Sequence, residues 1–211
     1  MLNIPNIYVM GDIHGSPNPI FNFYNKREHL IHEGDVMILL GDSGINYYLN
    51  GRDDKFKKKL SQYPFTYFVI RGNHDERPSN LLSQYPDLWH YEDFFHAPVM
   101  VENKYPNIKY AMDTPEIYHI PNHQDGLYST LVIPGAYSVD KYYRLMKGWT
   151  WFEDEQLTPE EMDIGLNNLR ILHYKCDLIL SHTCPCIYEP TDLFFSSIDQ
   201  STVDKSMERY L

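Results

Sequence analysis

The stretch Ile7-Tyr8-Val9-Met10-Gly11-Asp12-Ile13-His14-Gly15 decides how the chain reads. Its first four residues form a short run without polar interruption, the mark of a buried strand, and the glycines at 11 and 15 let the chain turn tightly where that strand ends. The turn carries Asp12 and His14, whose Asp-x-His spacing sends both side chains to the same side of an extended chain. Working outward, the same arrangement returns twice: Val36 to Leu40 runs into Gly41-Asp42, and Tyr67 to Ile70 runs into Arg71-Gly72-Asn73-His74-Asp75. Between the first two runs, Ile20, Phe23, Tyr24, Leu30 and Ile31 approximate helical spacing, which predicts a helix from Pro19 to about His32, stopped by Gly34. A Lys-rich amphipathic helix is predicted over roughly Asp53 to Gln62 before the third. Strands alternating with helices predict an α/β sheet that builds its site at the carboxyl ends of its strands.

The middle of the chain changes character. Short β-prone pieces at Val99 to Glu102, Ile117 to Ile120 and Leu131 to Ile133, separated by Pro, Asn and Gly, predict a second, more antiparallel sheet. Thr158-Pro159-Glu160-Glu161 has the pattern of a capping box with Pro at the first helical position, so a helix should run from there to about Tyr174. Leu178-Ile179-Leu180 is a further strand, opening into Ser181-His182-Thr183, and the segment from Ser206 to Leu211 reads as helical.

Composition narrows the function classes. The chain has 211 residues, with 43% hydrophobic and 15% aromatic residues, enough for a large core and far from the signature of disorder. No internal repeat or Gly/Ser linker divides it, so a single domain over 1–211 is expected. The longest clean apolar run, Val36 to Leu40, falls well short of the roughly 20 residues a membrane span needs. Met1-Leu2-Asn3-Ile4-Pro5 shows no leader pattern, so a cytoplasmic protein is expected, with no membrane partner. The formal net charge is −11, and the one basic cluster, Lys57-Lys58-Lys59, stands among acids; duplex nucleic acid, which requires a basic face, is not expected as a partner. Cys176, Cys184 and Cys186 are an odd number and are expected as thiols. Cys184-Pro185-Cys186 lacks the second pair that a zinc site would need.

The three glycine turns bear on chemistry together. An Asp or Asn in one such turn is ordinarily a turn former. Three in series, 30 and 31 positions apart (12 to 42, 42 to 73) and each after a buried strand, are not explained that way. Carboxylate and amide oxygens mixed with imidazole suit a divalent ion such as Mn, Fe or Zn.

With Gly-Asp-x-His, Gly-Asp, Gly-Asn-His-Asp and a lone His182 after a strand, the chain resembles the calcineurin-like metallophosphoesterases, from Gly11 to about His182. Gly135-Ala136-Tyr137-Ser138 and Gly148-Trp149-Thr150-Trp151-Phe152 add a looser likeness to small phage and bacterial members. The resemblance implies an αββα sandwich, two facing mixed β-sheets flanked by helices. It implies two divalent metal ions: Asp12 and His14 on one, Asn73 and His182 on the other, and Asp42 bridging both. It further implies hydrolysis of a phosphate ester, with the ions orienting the phosphoryl group for in-line attack. His74 is then the general acid, with Asp75 as its positioning partner. Charge alone nominates Arg144, Lys141 and Arg77 as contacts to substrate phosphate. Most other histidines, among them His29, His32, His90 and His123, are expected as surface or packing residues. Tyr47-Tyr48 is expected as core or groove lining.

Two features depart from the family pattern. Ser43-Gly44-Ile45-Asn46 follows Asp42 where the Ser/Thr protein phosphatases carry Asp-Arg-Gly, which argues against protein phosphatase activity. No Gly-His-x-His follows His182, so each ion lacks one imidazole, and a C-terminally truncated form with weakened activity is expected. The rival reading is a protein-interaction module of the same fold, as in one retromer subunit; retention of His74 favours the enzyme. The class of phosphorylated substrate, monoester or diester, and the oligomeric state are left open.

Overall fold

The computed structural model describes residues 4–124, 126–194, 196 and 199–211, so Met1-Leu2-Asn3 of the N-terminal reading lie outside the described residues. The first half alternates as read: β1 (Ile7–Met10), α1 (Asn18–Arg27), β2 (Asp35–Leu40), α2 (Gly51–Leu60) and β3 (Phe65–Ile70). Beyond them follow α3 (Pro78–Gln84), β4 (Trp89–Phe94), β5 (Ala97–Glu102), β6 (Ile108–Tyr110), β7 (Glu116–Pro121) and β8 (Leu127–Ile133). The last elements are α4 (Lys141–Lys147), α5 (Pro159–Ile171), β9 (Leu178–Ser181) and α6 (Ser206–Tyr210).

Six strands form one mixed sheet in the order β1-β2-β3-β6-β5-β4, and three form a second in the order β7-β8-β9. β1, β2, β3 and β6 are mutually parallel, so the carboxyl ends of the first three strands lie side by side, with Met10 opposite Leu39 and Leu40 opposite Ile70. In the second sheet β8 and β9 are parallel, with Ile133 opposite Ser181.

The layers follow from the two-residue period of the strands. Val36, Ile38, Phe68 and Ile70 turn to the second sheet and pack with Tyr118, Ile120 and Val132. Met37, Leu39, Tyr67 and Val69 turn the other way, onto Ile20, Phe56 and Leu60 of α1 and α2. On the outer face of the second sheet, Leu131 and Ile133 meet Met162, Leu169 and Met207 of α5 and α6. The result is the expected helix, sheet, sheet, helix stack. Tyr118 helps join the sheets: fully buried against Phe68 at 4.9 Å, it accepts from Met112 N (3.0 Å) and donates to Pro98 O (3.0 Å).

Some expectations need correction. Val99 to Glu102 lies in the first sheet, as β5 pairs β4 and β6. The helix after β1 ends at Arg27 and passes into a single 3-10 turn over Glu28–Leu30, because Arg27 leaves the helical region at φ −134. The capping box at Thr158 is present in both directions, Glu161 N to Thr158 Oγ1 at 3.2 Å and Thr158 N to Glu161 Oε2 at 2.9 Å, but the helix stops at Ile171. Among the described residues no helix is long and apolar enough to cross a membrane.

Candidate metal centre

The rim formed by the ends of β1, β2, β3, β8 and β9 gathers the turns. His14 N donates to Asp42 O (2.9 Å), Gly15 N to Ser43 O (2.9 Å) and Gly135 N to Arg71 O (2.8 Å), which locks neighbouring turns in register. Asp12, His14 and Asp42 all adopt left-handed backbone, at φ 48, 44 and 46. That conformation is uncommon for residues with a Cβ, and its concentration here stores strain in the rim. Glycine is sterically required at Gly41, Gly44, Gly72 and Gly135 of these turns. A Cβ on Gly41 would lie 2.3 Å from His182 Nδ1, and one on Gly72 would lie 2.2 Å from Asp42 Oδ1.

Asp42 is at the centre. His74 N donates to its Oδ1 at 2.8 Å, His74 Nδ1 lies 2.8 Å from its Oδ2, and His182 Nε2 lies 3.5 Å from Oδ1. Burial works against the charge, yet the two imidazoles hold this carboxyl far below the usual carboxylate range. His182 has its Nδ1 2.8 Å from Leu40 O, which fixes that nitrogen as the N–H donor and turns Nε2 inward. Nε2 then faces Asn73 Oδ1 at 3.0 Å as well as Asp42. Asn73 presents its oxygen because its Nδ2 is spent on Ser138 Oγ at 2.9 Å, and Ser138 is in turn held by Glu155.

Three lone-pair atoms thus converge on one point. A proton on His182 satisfies both oxygens: burial alone would depress the imidazole, but the Asp42 carboxylate lifts it to about 9. A divalent cation would satisfy all three donors together, and a mixed imidazole, amide and carboxylate set fits a borderline ion of the Mn, Fe or Zn kind.

On the open side, His14 Nε2 lies 2.6 Å from Asp12 Oδ1, with both side chains more than half exposed. Ligand atoms of His14, Asp42 and His74 lie within 4.8 Å of one another, so this side could hold a second ion. The His74 ring, bound to Asp42 through Nδ1, leaves a buried Nε2 that has no hydrogen-bond partner among the described residues and lies 3.7 Å from Asp140 Oδ1. Arg144 is pinned beside it. Its Nε reaches both Asp140 oxygens (2.8 and 2.9 Å), Nη1 donates to Tyr47 OH (3.0 Å) and Thr150 O (3.3 Å), and Nη2 lies 3.4 Å from His74 Nδ1. A cavity of about 440 Å³ opens over His14, His74 and Arg144.

The structure therefore brings Asp42, Asn73, His182, His74 and His14 into one cluster, with Asp12 joined through His14 and Arg144 at the cavity. Three sequence expectations are corrected. Asp75 does not serve His74: its buried carboxylate accepts from the N–H groups of Gly72 (3.1 Å), Gly44 (3.1 Å) and Ser43 (3.3 Å) and clamps two turns together. Burial, then the nearby Asp42 charge, pushes that carboxyl above its ordinary value. Arg77 is turned away from the cavity, bound to Glu161 (2.6 and 3.2 Å), Asp154 O (2.9 Å) and Gln156 O (2.8 Å), where it seats the start of α5. Lys141 lies over the Trp151 ring, 4.1 Å from its centroid, and does not line the cavity.

Sequence reading missed Ser138 and Glu155 as the support of Asn73, Asp140 as the anchor of Arg144, and Arg52 at the cavity. The Gly135-to-Ser138 turn after β8 was the available signal for the first of these.

A search of curated proteins finds no relative that matches the chain. A family model described as calcineurin-like phosphoesterase matches residues 5–186, a span that contains every turn of the rim and the strand that delivers His182. With residues 5–186 of its 211 matched, the chain belongs to the calcineurin-like phosphoesterases.

Proposed function

We propose that this chain hydrolyses a phosphate ester at a dinuclear metal centre, Asp12, His14 and Asp42 holding one ion and Asp42, Asn73 and His182 the other. The convergence of His182 Nε2, Asn73 Oδ1 and Asp42 Oδ1 carries this reading, since Nε2 lies 3.0 and 3.5 Å from the two oxygens and a divalent ion would satisfy all three atoms in place of the imidazole proton. Two divalent ions of the Mn, Fe or Zn kind would supply Lewis-acid polarisation of the phosphoryl group and lower the pKa of water.

The remaining work falls to the protein. Asp42, with its carboxyl kept ionised by two imidazoles, is the residue that both ions would share. His74 protonates the leaving oxygen through Nε2: the Asp42 bond orients its ring, and Nε2 has no hydrogen-bond partner among the described residues. Arg144 neutralises the phosphoryl oxygens, with its guanidinium already held by Asp140, Tyr47 and Thr150 so that little ordering is left for binding. Asp75, Ser138 and Glu155 act through others, as positioning residues for the Asp42 turn and the Asn73 amide.

The test is a metal-supplemented screen of generic phosphate monoesters and diesters. Turnover that requires added Mn or Zn and disappears in Asp42→Asn supports the proposal. Metal-independent turnover overturns the dinuclear centre, and no turnover on any ester overturns the enzyme in favour of an interaction module.

A further inference from the structure

The cavity over the centre has a composition unlike the rest of the chain. The protein carries 29 acidic and 18 basic residues, yet among the described residues no carboxylate lines this cavity, whereas Arg52, Arg144, His14 and His74 do. The other substantial lining is aromatic and comes from two separate segments. Tyr47 and Tyr48 leave the turn after β2 as an edge-to-face pair with centroids 4.8 Å apart. Trp149 follows α4, braced edge-to-face by Tyr143 at 5.5 Å. Tyr48 and Trp149 are 45% and 53% exposed, so their rings are not consumed by the core. The Arg52 guanidinium lies over Tyr48, 4.8 Å from the ring centroid.

Large rings that remain open beside two guanidiniums suit a flat anionic ligand, because stacking needs a free π face and a guanidinium favours negative charge. A volume of about 440 Å³ is within the range of small-molecule sites and ample for a mononucleotide-sized ester. We infer that this cavity selects phosphate esters whose leaving group is a planar aromatic system, a nucleoside or a simple aryl group, received by Tyr48 and Trp149 while the phosphate rests near Arg144 and His74. This rests on the phosphoesterase reading above for its reacting end only. It differs from a nucleic-acid platform, since two rings at one cavity hold one base and no basic strip continues from them.

The experiment compares AMP with ribose 5-phosphate, which share the same 5′ leaving alkoxide and differ at C1, where one carries the base and the other a hydroxyl; phenyl phosphate is the aryl arm. Affinities are measured by calorimetry on the full chain without added metal, and KM is measured with Mn. AMP should bind at least about fivefold more tightly than ribose 5-phosphate, the lower end of the range for one base stacked on an aromatic side chain. That ratio should fall toward one in Trp149→Ala and in Tyr48→Ala and largely persist in Trp149→Phe. Phenyl phosphate following AMP identifies the ring alone as the determinant; phenyl phosphate following ribose 5-phosphate identifies the nucleoside. Equal affinity for AMP and ribose 5-phosphate, or a preference that survives both alanine variants, overturns the inference. Base-dependent affinity without turnover of any ester would instead refute the phosphoesterase reading and leave the cavity assignment standing.

Discussion

Replacing Gly41 by alanine should empty one metal position and spare the other. Gly41 sits at φ 81, a conformation that costs an L residue about 1–2 kcal/mol. Its new methyl would stand 2.3, 2.5 and 2.8 Å from Nδ1, Cγ and Cβ of His182. These atoms are the root of the side chain, so the end of β9 must move, at an overpacking cost of about 1–3 kcal/mol. Together the two amount to roughly 2–5 kcal/mol, less than the stability of most domains. For a chain of this length that is a fall in Tm of about 4–20 °C without loss of the fold. The displaced imidazole would lose its Leu40 bond and carry Nε2 away from Asn73 and Asp42, whereas Asp12 and His14 are on another turn. Affinity at the Asn73 position should drop at least 10- to 100-fold, the usual effect of losing a ligand's orienting partner. Two-phase titration calorimetry with Mn, followed by elemental analysis after dialysis, reads the result. Two ions per chain should become one, and His182→Ala should show the same stoichiometry with a smaller change in Tm. Two undiminished phases in Gly41→Ala would mean that His182 does not hold an ion.

Asp42→Asn should weaken both metal phases, whereas His74→Ala should keep two ions and lower kcat by roughly 10²- to 10⁴-fold; loss of an ion from the His74 variant would show that this imidazole is a ligand. Arg144→Met should raise KM for any phosphate ester, while Arg77→Met should leave KM unchanged and lower Tm by leaving Glu161 without its buried partner, as kinetics and thermal melts together will show. In the metal-free protein, protonated His182 stabilises the fold fully below its unfolded pKa near 6.5 and loses that contribution as the pH rises through about 9. Melts of metal-free protein should therefore decline between about pH 7 and 9, and saturating Mn, replacing the proton, should remove the decline.

β2 and β3 were legible because strands covered on both faces read as unbroken apolar runs, and both are buried along nearly their whole length; β1 shows the same run although it is a partly exposed edge strand. The polar turns at their ends were legible for the same reason, since register places them together once the strands are parallel neighbours. By contrast β4, Trp-His-Tyr-Glu-Asp-Phe, mixes charge with aromatics at the edge of its sheet, and β6 has three residues, too few for a period. β5 was visible as a strand but not by its sheet, because pairing with β4 and β6 is decided by contacts that no local pattern records. At the site, ligand types and order could be read, but their supports could not: Leu40 O is a backbone group 142 positions from His182, and Ser138 is 65 from Asn73. Charge alone misplaced Lys141 and Arg77, since a cation's partners depend on the packing around it.

Anomalous diffraction from Mn-soaked crystals, recorded at the manganese edge, tests the two-ion centre most directly. Two peaks should flank the Asp42 carboxylate, one within bonding distance of Asp12 and His14 and the other of Asn73 Oδ1 and His182 Nε2. A single peak, or peaks away from Asp42 such as at Cys184 and Cys186, would contradict it.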